Sequence, residues 1–319
     1  MRCRTLLGVH IFAALLALIS FGANATEMLF TIGPDASPFF VPRTLNELPS
    51  TSPVSASFLA DLGDGSVGFN GGLAYDTADG QLYTIGNDSS GLSTLYSMTT
   101  LGGTLTAIGG GLGVGFNGGL AYDSLNDTFY AIANDFLGNS TLYEVSGAGV
   151  ATPLGAIGVG FYGGLTFNAN DGNLYAIAGD AFGAMRNVVA IDAATVAANP
   201  LFDLGDGSVG FNGGLTYDVG ADLFYVIGND FLADSTLFSF TLAGSSTPGD
   251  DLAPIGSSFG QGFLNAGLAL APEVTPPPPP STVDEPSTLS LMLFVLLLGP
   301  LIKYLNERYG APSRLRSAA

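Results

Sequence analysis

Ten oxygen-bearing side chains recur at matching places along this chain, and a binding site could be assembled from them. Asn70, Asn117, Tyr162 and Asn212 share one position of a repeated phrase, Asp88, Asp135, Asp180 and Asp230 share another, and Asp64 and Asp206 share a third. Carboxylate and amide oxygens are hard donors that suit Ca²⁺. The same groups hydrogen-bond the hydroxyls of a sugar. The competing reading is conformational. Asn and Asp cap backbone groups through their own side chains, and the glycines around them permit the positive φ of tight turns. A residue repeated in every unit is first a determinant of the fold, so the conformational reading is the stronger of the two. A further acidic set, Asp76/Asp79, Asp123/Asp127, Asp171 and Asp218/Asp222, falls in short turns where Asp-Gly steps such as Asp79-Gly80 and Asp171-Gly172 are ordinary hairpin chemistry.

Most catalytic chemistry has no residues to perform it. The only cysteine, Cys3, and the only histidine, His10, lie in the first 25 residues, and no lysine precedes Lys303. Ser-His-Asp and Cys-His nucleophile systems are therefore absent from the rest, as are zinc sites of the His/Cys type. No phosphate-cradling GxxxxGK phrase occurs. A carboxylate pair for glycoside hydrolysis is the one route left, and every acid has a counterpart in another repeat. The expectation is a non-enzyme with no cofactor, Ca²⁺ being the one ion its donors would suit. A calcium-stabilised scaffold and a carboxylate-dependent, glycosidase-like enzyme are the alternatives. Between residues 26 and 275 two basic residues, Arg43 and Arg186, face 24 acidic ones. Such a charge repels nucleic acid and anionic lipid heads.

The elements that must hold these side chains are legible from one phrase. GFNGGLAYD begins at Gly68 and again at Gly115, GFYGGLTFN at Gly160, GFNGGLTYD at Gly210 and a worn copy, GFLNAGLAL, at Gly262, giving steps of 47, 45, 50 and 52 residues. Each unit carries four short runs rich in aromatic and β-branched residues, bounded by Gly, Asp, Asn or Ser. In the first full unit these are Gly72–Tyr75, Leu82–Ile85, Thr94–Met98 and Thr104–Ile108, and in the fourth the last run is Asp251–Ile255. Four strands in such a period is the pattern of a β-propeller blade. The chain starts in mid-unit. Met28–Ile32 reads as a second strand, Phe39–Val41 as a third and Ser57–Leu62 as a fourth, while Asn265–Leu270 at the other end supplies a first strand alone. The expected fold is all-β: a five-bladed propeller of four-stranded antiparallel blades, closed by N- and C-terminal strands sharing one blade, which leaves no long exposed edge. Its first strands would line the central channel. The GFNGG loops and the loops after the second strands would open on one face, gathering the ten side chains at its mouth. Phe69, Phe116, Phe161, Phe211 and Phe263 are expected between blades rather than on a ligand.

The ends are of another kind. Arg2 and Arg4, an apolar run from Leu6 to Ile19 and Ala23-Asn24-Ala25 read as a secretory signal helix, residues 1–25, cut by signal peptidase after Ala25. The propeller is expected over residues 26–272. Residues 273–286 contain the TPPPPP spacer and Asp284-Glu285-Pro286, and residues 287–319 hold the apolar run Leu289–Ile302 and a basic tail. That run, expected as a hydrophobic helix, is short for a bilayer, which takes about 20 apolar residues, and the basic tail would keep the preceding chain outside. This tripartite end, with Glu285-Pro286-Ser287-Thr288 leading it, resembles the PEP-CTERM sorting signal recognised by exosortases of exopolysaccharide-producing bacteria. Asp284 stands where that signal usually has its first proline. The resemblance implies processing by an exosortase-like enzyme, a stage tethered to the inner membrane through the C-terminal helix, and delivery to the envelope or extracellular matrix beside polysaccharide. The expected function is a secreted or surface-anchored binding or matrix protein.

Overall fold

Short apolar runs punctuated by tight turns fold here into antiparallel meanders, each too small to bury its own faces. The computed structural model describes residues 27–34, 42–52, 54–179, 185–205, 207–242, 252–264 and 267–272, and among these there is no helix. The expected terminal helices, the cleavage site after Ala25, the sorting residues Asp284, Glu285 and Pro286, and the candidates Asp180 and Asp206 lie outside the described residues.

Five antiparallel sheets form the blades of a β-propeller. Blade 1 joins β1 (Glu27–Pro34), β2 (Pro42–Leu48) and β3 (Ser57–Asp61) to β22 (Leu268–Pro272) from the far end of the chain. Blade 2 holds β4 (Val67–Gly68), β5 (Leu73–Asp76), β6 (Gln81–Asp88), β7 (Ser93–Thr99) and β8 (Thr106–Ile108). Blade 3 holds β9 (Leu120–Asp123), β10 (Thr128–Asn134), β11 (Asn139–Val145) and β12 (Ala151–Val159). Blade 4 holds β13 (Phe161–Asn168), β14 (Asn173–Gly179), β15 (Met185–Asp192) and β16 (Ala197–Asp203). Blade 5 holds β17 (Leu215–Asp218), β18 (Leu223–Asn229), β19 (Asp234–Phe240), β20 (Ala253–Pro254) and β21 (Gly260–Gln261). The β1–β22 register runs from Glu27 opposite Pro272 to Thr31 opposite Leu268.

Two strands depart from the sequence expectation. The third strand of blade 1 is Pro42–Leu48, not Phe39–Val41. Its polar Asn46 and Glu47 hide the strand pattern, and Pro42 is tolerated because it opens the strand. The fourth strand of blade 5, expected over Asp251–Ile255, shrinks to Ala253–Pro254, with Gly260–Gln261 pairing separately to β19.

The core lies between blades. Phe116, Leu120, Tyr122 and Phe129 of blade 3 pack on Ala74, Tyr83, Ile85 and Leu95 of blade 2, and the same interlock recurs around the ring. The five repeated phenylalanines are buried, with Phe116 fully inaccessible; each contributes about 2 to 3 kcal/mol by leaving water. Tyr83 meets Phe129 at 4.6 Å between ring centroids, and Tyr175 meets Phe224 at 5.1 Å.

At the axis the inner strands touch through glycine. Gly119 has φ 125°, and a Cβ there would lie 2.5 Å from the backbone nitrogen of Leu165 in blade 4. The same contact recurs in cyclic order: Gly72 abuts Gly119 and Leu120, Gly164 abuts Gly214 and Leu215, Gly214 abuts Gly267 and Leu268, and Gly267 abuts Gly72 and Leu73. Second-strand hydroxyls brace this ring, Thr84 Oγ1 donating to the carbonyl of Gly72 at 2.7 Å and Thr31 Oγ1 to that of Gly267 at 2.8 Å.

Candidate functional site

The GFNGG phrases and the loops after the second strands share one face. Asn70, Asn117, Tyr162 and Asn212 meet there around the axis. The space they surround is about 10 Å³, at most the room of one water. The channel therefore ends at this face, and the four side chains ring a plug of backbone. Toward the other face it widens to about 110 Å³, bounded chiefly by inner-strand aliphatics such as Leu73, Leu120, Leu165 and Leu215.

The amides of this ring are tied into the fold. Asn134, the last residue of β10, donates through Nδ2 to Asn117 Oδ1 at 2.9 Å and to the carbonyl of Phe161 in blade 4 at 2.8 Å. Its Oδ1 accepts from the Ser140 hydroxyl, whose oxygen accepts the N–H of Phe161 at 3.2 Å. Asn87 and Ser93 hold Asn70 and both backbone groups of Phe116 in the same way. Asn229 and Ser235 hold Asn212 and Phe263. Each set is a latch from one blade to the next, with its serine buried. Blade 4 has Gly179, and blade 1 Pro34, where blades 2, 3 and 5 have the latch asparagine, and Tyr162 stands where Asn70, Asn117 and Asn212 receive it. Asn87, Asn134 and Asn229 were not among the candidates. Their signal is an Asn six residues before a Ser, in three repeats.

The aspartates do not join the ring. Asp88 Oδ1 accepts from the Ser90 hydroxyl and from the N–H groups of Ser90 and Leu92; Asp135 accepts from the N–H groups of Leu137 and Asn139 and from Asn139 Nδ2; Asp230 accepts from the N–H groups of Leu232 and Asp234. Each caps its own turn. The Ser90 hydroxyl foremost, with backbone N–H groups, holds Asp88 below the usual carboxylate range, and the Asn139 amide does the same for Asp135. Asp64 accepts from the N–H of Ser66 at 2.9 Å and borders a separate hollow of about 150 Å³ beside Phe69 and Tyr96. Among the described residues no group of three or more His, Cys, Asp or Glu side chains could hold a metal ion. What the caps leave outermost is apolar. Phe136 and Phe231, the residues after Asp135 and Asp230, are 95% and 90% exposed.

The opposite face carries the hairpin acids, and tyrosines use most of them. Tyr83 donates to Asp79 at 2.6 Å, Tyr122 to Asp127 at 2.9 Å, Tyr175 to Asp171 at 2.6 Å and Tyr217 to Asp222 at 2.5 Å. Burial and these carboxylates push all four phenols up. Glu27, at the start of β1, is pushed up to about 7, first by burial and then by its hydrogen bond to Asp218 and that group's charge.

No family model matches the chain, and no curated protein matches it. Solved structures match in fold. A GH43 glycoside hydrolase, engineered to display both endo-xylanase and exo-arabinofuranosidase activity, superposes with a TM-score of 0.51 at 12% identity, over 76% of this chain and 54% of that one. A chain of a nidogen/laminin complex gives 0.49 at 14% identity, over 77% and 98%. TolB from Acinetobacter baumannii gives 0.48 at 11% identity, over 77% and 56%. The five sheets define the class as a five-bladed β-propeller, and identities this low add no more than the architecture.

Two outcomes follow. Asn134→Ala strands the Phe161 carbonyl and Ser140 hydroxyl between blades and is expected to cost about 3 kcal/mol in urea denaturation. Asp135→Ala, which loosens only an exposed turn, is expected to cost clearly less, and equal losses would refute the latch. Glu27 binds its proton more tightly folded than unfolded, so its contribution is complete below pH 4.5 and is lost as pH rises through 7. The melting temperature should therefore fall across that window, and Glu27→Gln should flatten the fall.

Proposed function

We propose that this protein is an exported, non-catalytic binding protein of the cell envelope or extracellular matrix, one that associates with polysaccharide through the loop tips of the latch face. The observation that carries the reading is the pair Phe136 and Phe231. Both rings stand almost wholly in solvent at the same turn position of two blades, each next to an aspartate whose hydrogen bonds stiffen the turn. Single exposed apolar side chains are ordinary. Two phenylalanines at repeat-equivalent tips, followed by exposed Leu137 and Leu232, form a recurrent apolar surface on an otherwise acidic domain. Such surfaces mark interaction sites. Excess negative charge disfavours polyanions, so the partner is a neutral or cationic polymer.

The non-catalytic part is supported by the occupation of the acids. A glycosidase needs two carboxyl groups facing each other across a cleft. On the latch face Asp88, Asp135 and Asp230 are each bound within their own turns. We further infer that the β1–β22 pairing closes the ring. Export, tethering through residues 287–319 and processing at Asp284-Glu285-Pro286 by an exosortase-like enzyme rest on the terminal signals.

Affinity electrophoresis through a neutral glucan gel tests the reading. The Phe136→Ser/Phe231→Ser double variant should bind roughly tenfold more weakly, with an unchanged melting temperature. Equal retardation of the variant would sink the tip assignment. Reducing ends released from the glucan would sink the non-catalytic one.

A further inference from the structure

On the face opposite the tips, blades 3 and 4 border an open cavity of about 380 Å³, lined by Asp123, Tyr130, Glu144, Leu154, Phe167 and Asp192 among others. The repeats supply an internal control for it. Tyr130 of β10 corresponds to Tyr83 of β6 and Tyr175 of β14, whose hydroxyls donate to Asp79 and Asp171. In blade 5 the matching Tyr225 bonds Ser50. In blade 3 the aspartate's place is taken by Asn126, which turns away to donate to Asp123 Oδ2 at 2.8 Å. Tyr130 is 9% exposed, borders the cavity, and its hydroxyl has no hydrogen-bond partner among the described residues. The hydroxyl opens into this space, where a ligand oxygen can take the place of the water that otherwise completes its bond.

Against the expectation that every acid has a counterpart in another repeat, two acids of this cavity break the pattern. Opposite Tyr130 in the β10–β11 ladder stands Glu144, where the other blades place Ser97, Ala190 and Ser239. Asp192 occupies the place that Thr99 fills in blade 2; it also caps its own turn, accepting from the N–H groups of Ala194 and Thr195 and from the Thr195 hydroxyl, so Glu144 is the less committed of the two acids. Among the described residues no basic side chain borders the cavity. Burial foremost, then the charges of Asp123 and Glu144, raises the Tyr130 phenol, which keeps it a donor. The carboxylates call for a positive charge, yet no metal-holding group of acids exists among the described residues. Leu154 and Phe167 add an apolar wall, which suits a positive charge carried on an organic body. The volume is within the roughly 300–1,000 Å³ of small-molecule sites.

We propose that this cavity binds an amino sugar: its protonated amine between Glu144 and Asp192, a hydroxyl on Tyr130, and its ring face on Phe167. The site is independent of the Phe136 and Phe231 tips, so either assignment can fail alone. The test is titration calorimetry of the full-length protein with the glucosamine disaccharide, its N-acetylated counterpart and calcium chloride. Saturable binding of the free amine is expected, weakened roughly tenfold by Glu144→Ser and also weakened by Tyr130→Phe, with no binding of the acetylated sugar. Glu144→Ser restores the residue of blade 2 at an exposed position, and thermal melts check its fold. Asp192→Asn, which keeps the turn-capping oxygen, gives an independent reading in which weaker binding is again expected. Absence of saturable binding, equal affinity for the acetylated sugar, displacement by calcium, or an affinity indifferent to Glu144→Ser would each overturn the proposal.

Discussion

Five inner strands meet at the axis so closely that no side chain fits between them. At Gly119 the space for a Cβ is filled by the backbone of blade 4, and the same exclusion operates at Gly72, Gly164, Gly214 and Gly267. Most of the architecture follows from it. The inner strands must carry glycine at that level and a large aliphatic just beyond, hence the recurring Gly-Gly-Leu. The channel is plugged at one face and open only toward the other. Each blade, anchored at its inner edge, presents both faces to its neighbours, where the repeated phenylalanines fill the wedge.

The polar residues of the latch face follow from the same constraint. Bringing blades together leaves the backbone N–H and C=O of Phe116, Phe161 and Phe263 facing the neighbouring blade, and buried backbone groups need partners. The Asn-Ser pairs supply both with one side-chain set. The aspartates beyond them stiffen turns. A face rich in oxygen ligands is thus used to build the ring, and what it offers to solvent is phenylalanine. On the other face, beside the cavity between blades 3 and 4, Tyr130 and the nearby carboxylates are not matched to each other.

The count of five blades and their four-stranded antiparallel order could be read from the repeated phrase and the short strand runs between its copies, because glycine at the axis leaves no alternative residue. The third strand of blade 1 could not, since Asn46 and Glu47 interrupt its pattern. The candidate site was half legible. Asn70, Asn117, Tyr162 and Asn212 do converge, but regularity alone does not tell an amide that binds a ligand from one that receives a latch. Asp88, Asp135 and Asp230 cap their own turns, the stronger of the two roles the sequence offered; a turn cap and a ligand donor are the same residue type in the same loop, so the pattern alone does not separate them. The most informative residues are the irregular ones. Asn126, Glu144 and Asp192 depart from their counterparts, and that departure takes on meaning only once the ladder shows Glu144 opposite Tyr130.

The exclusion of side chains at the axis is tested most directly by adding one. Urea denaturation of Gly119→Ala should show a loss of about 4 kcal/mol from backbone strain and overpacking. Gly110→Ala, where an added Cβ meets nothing within 4 Å, should stay within about 0.5 kcal/mol of the parent. Indistinguishable midpoints for the two variants would contradict a ring held together by glycine contacts.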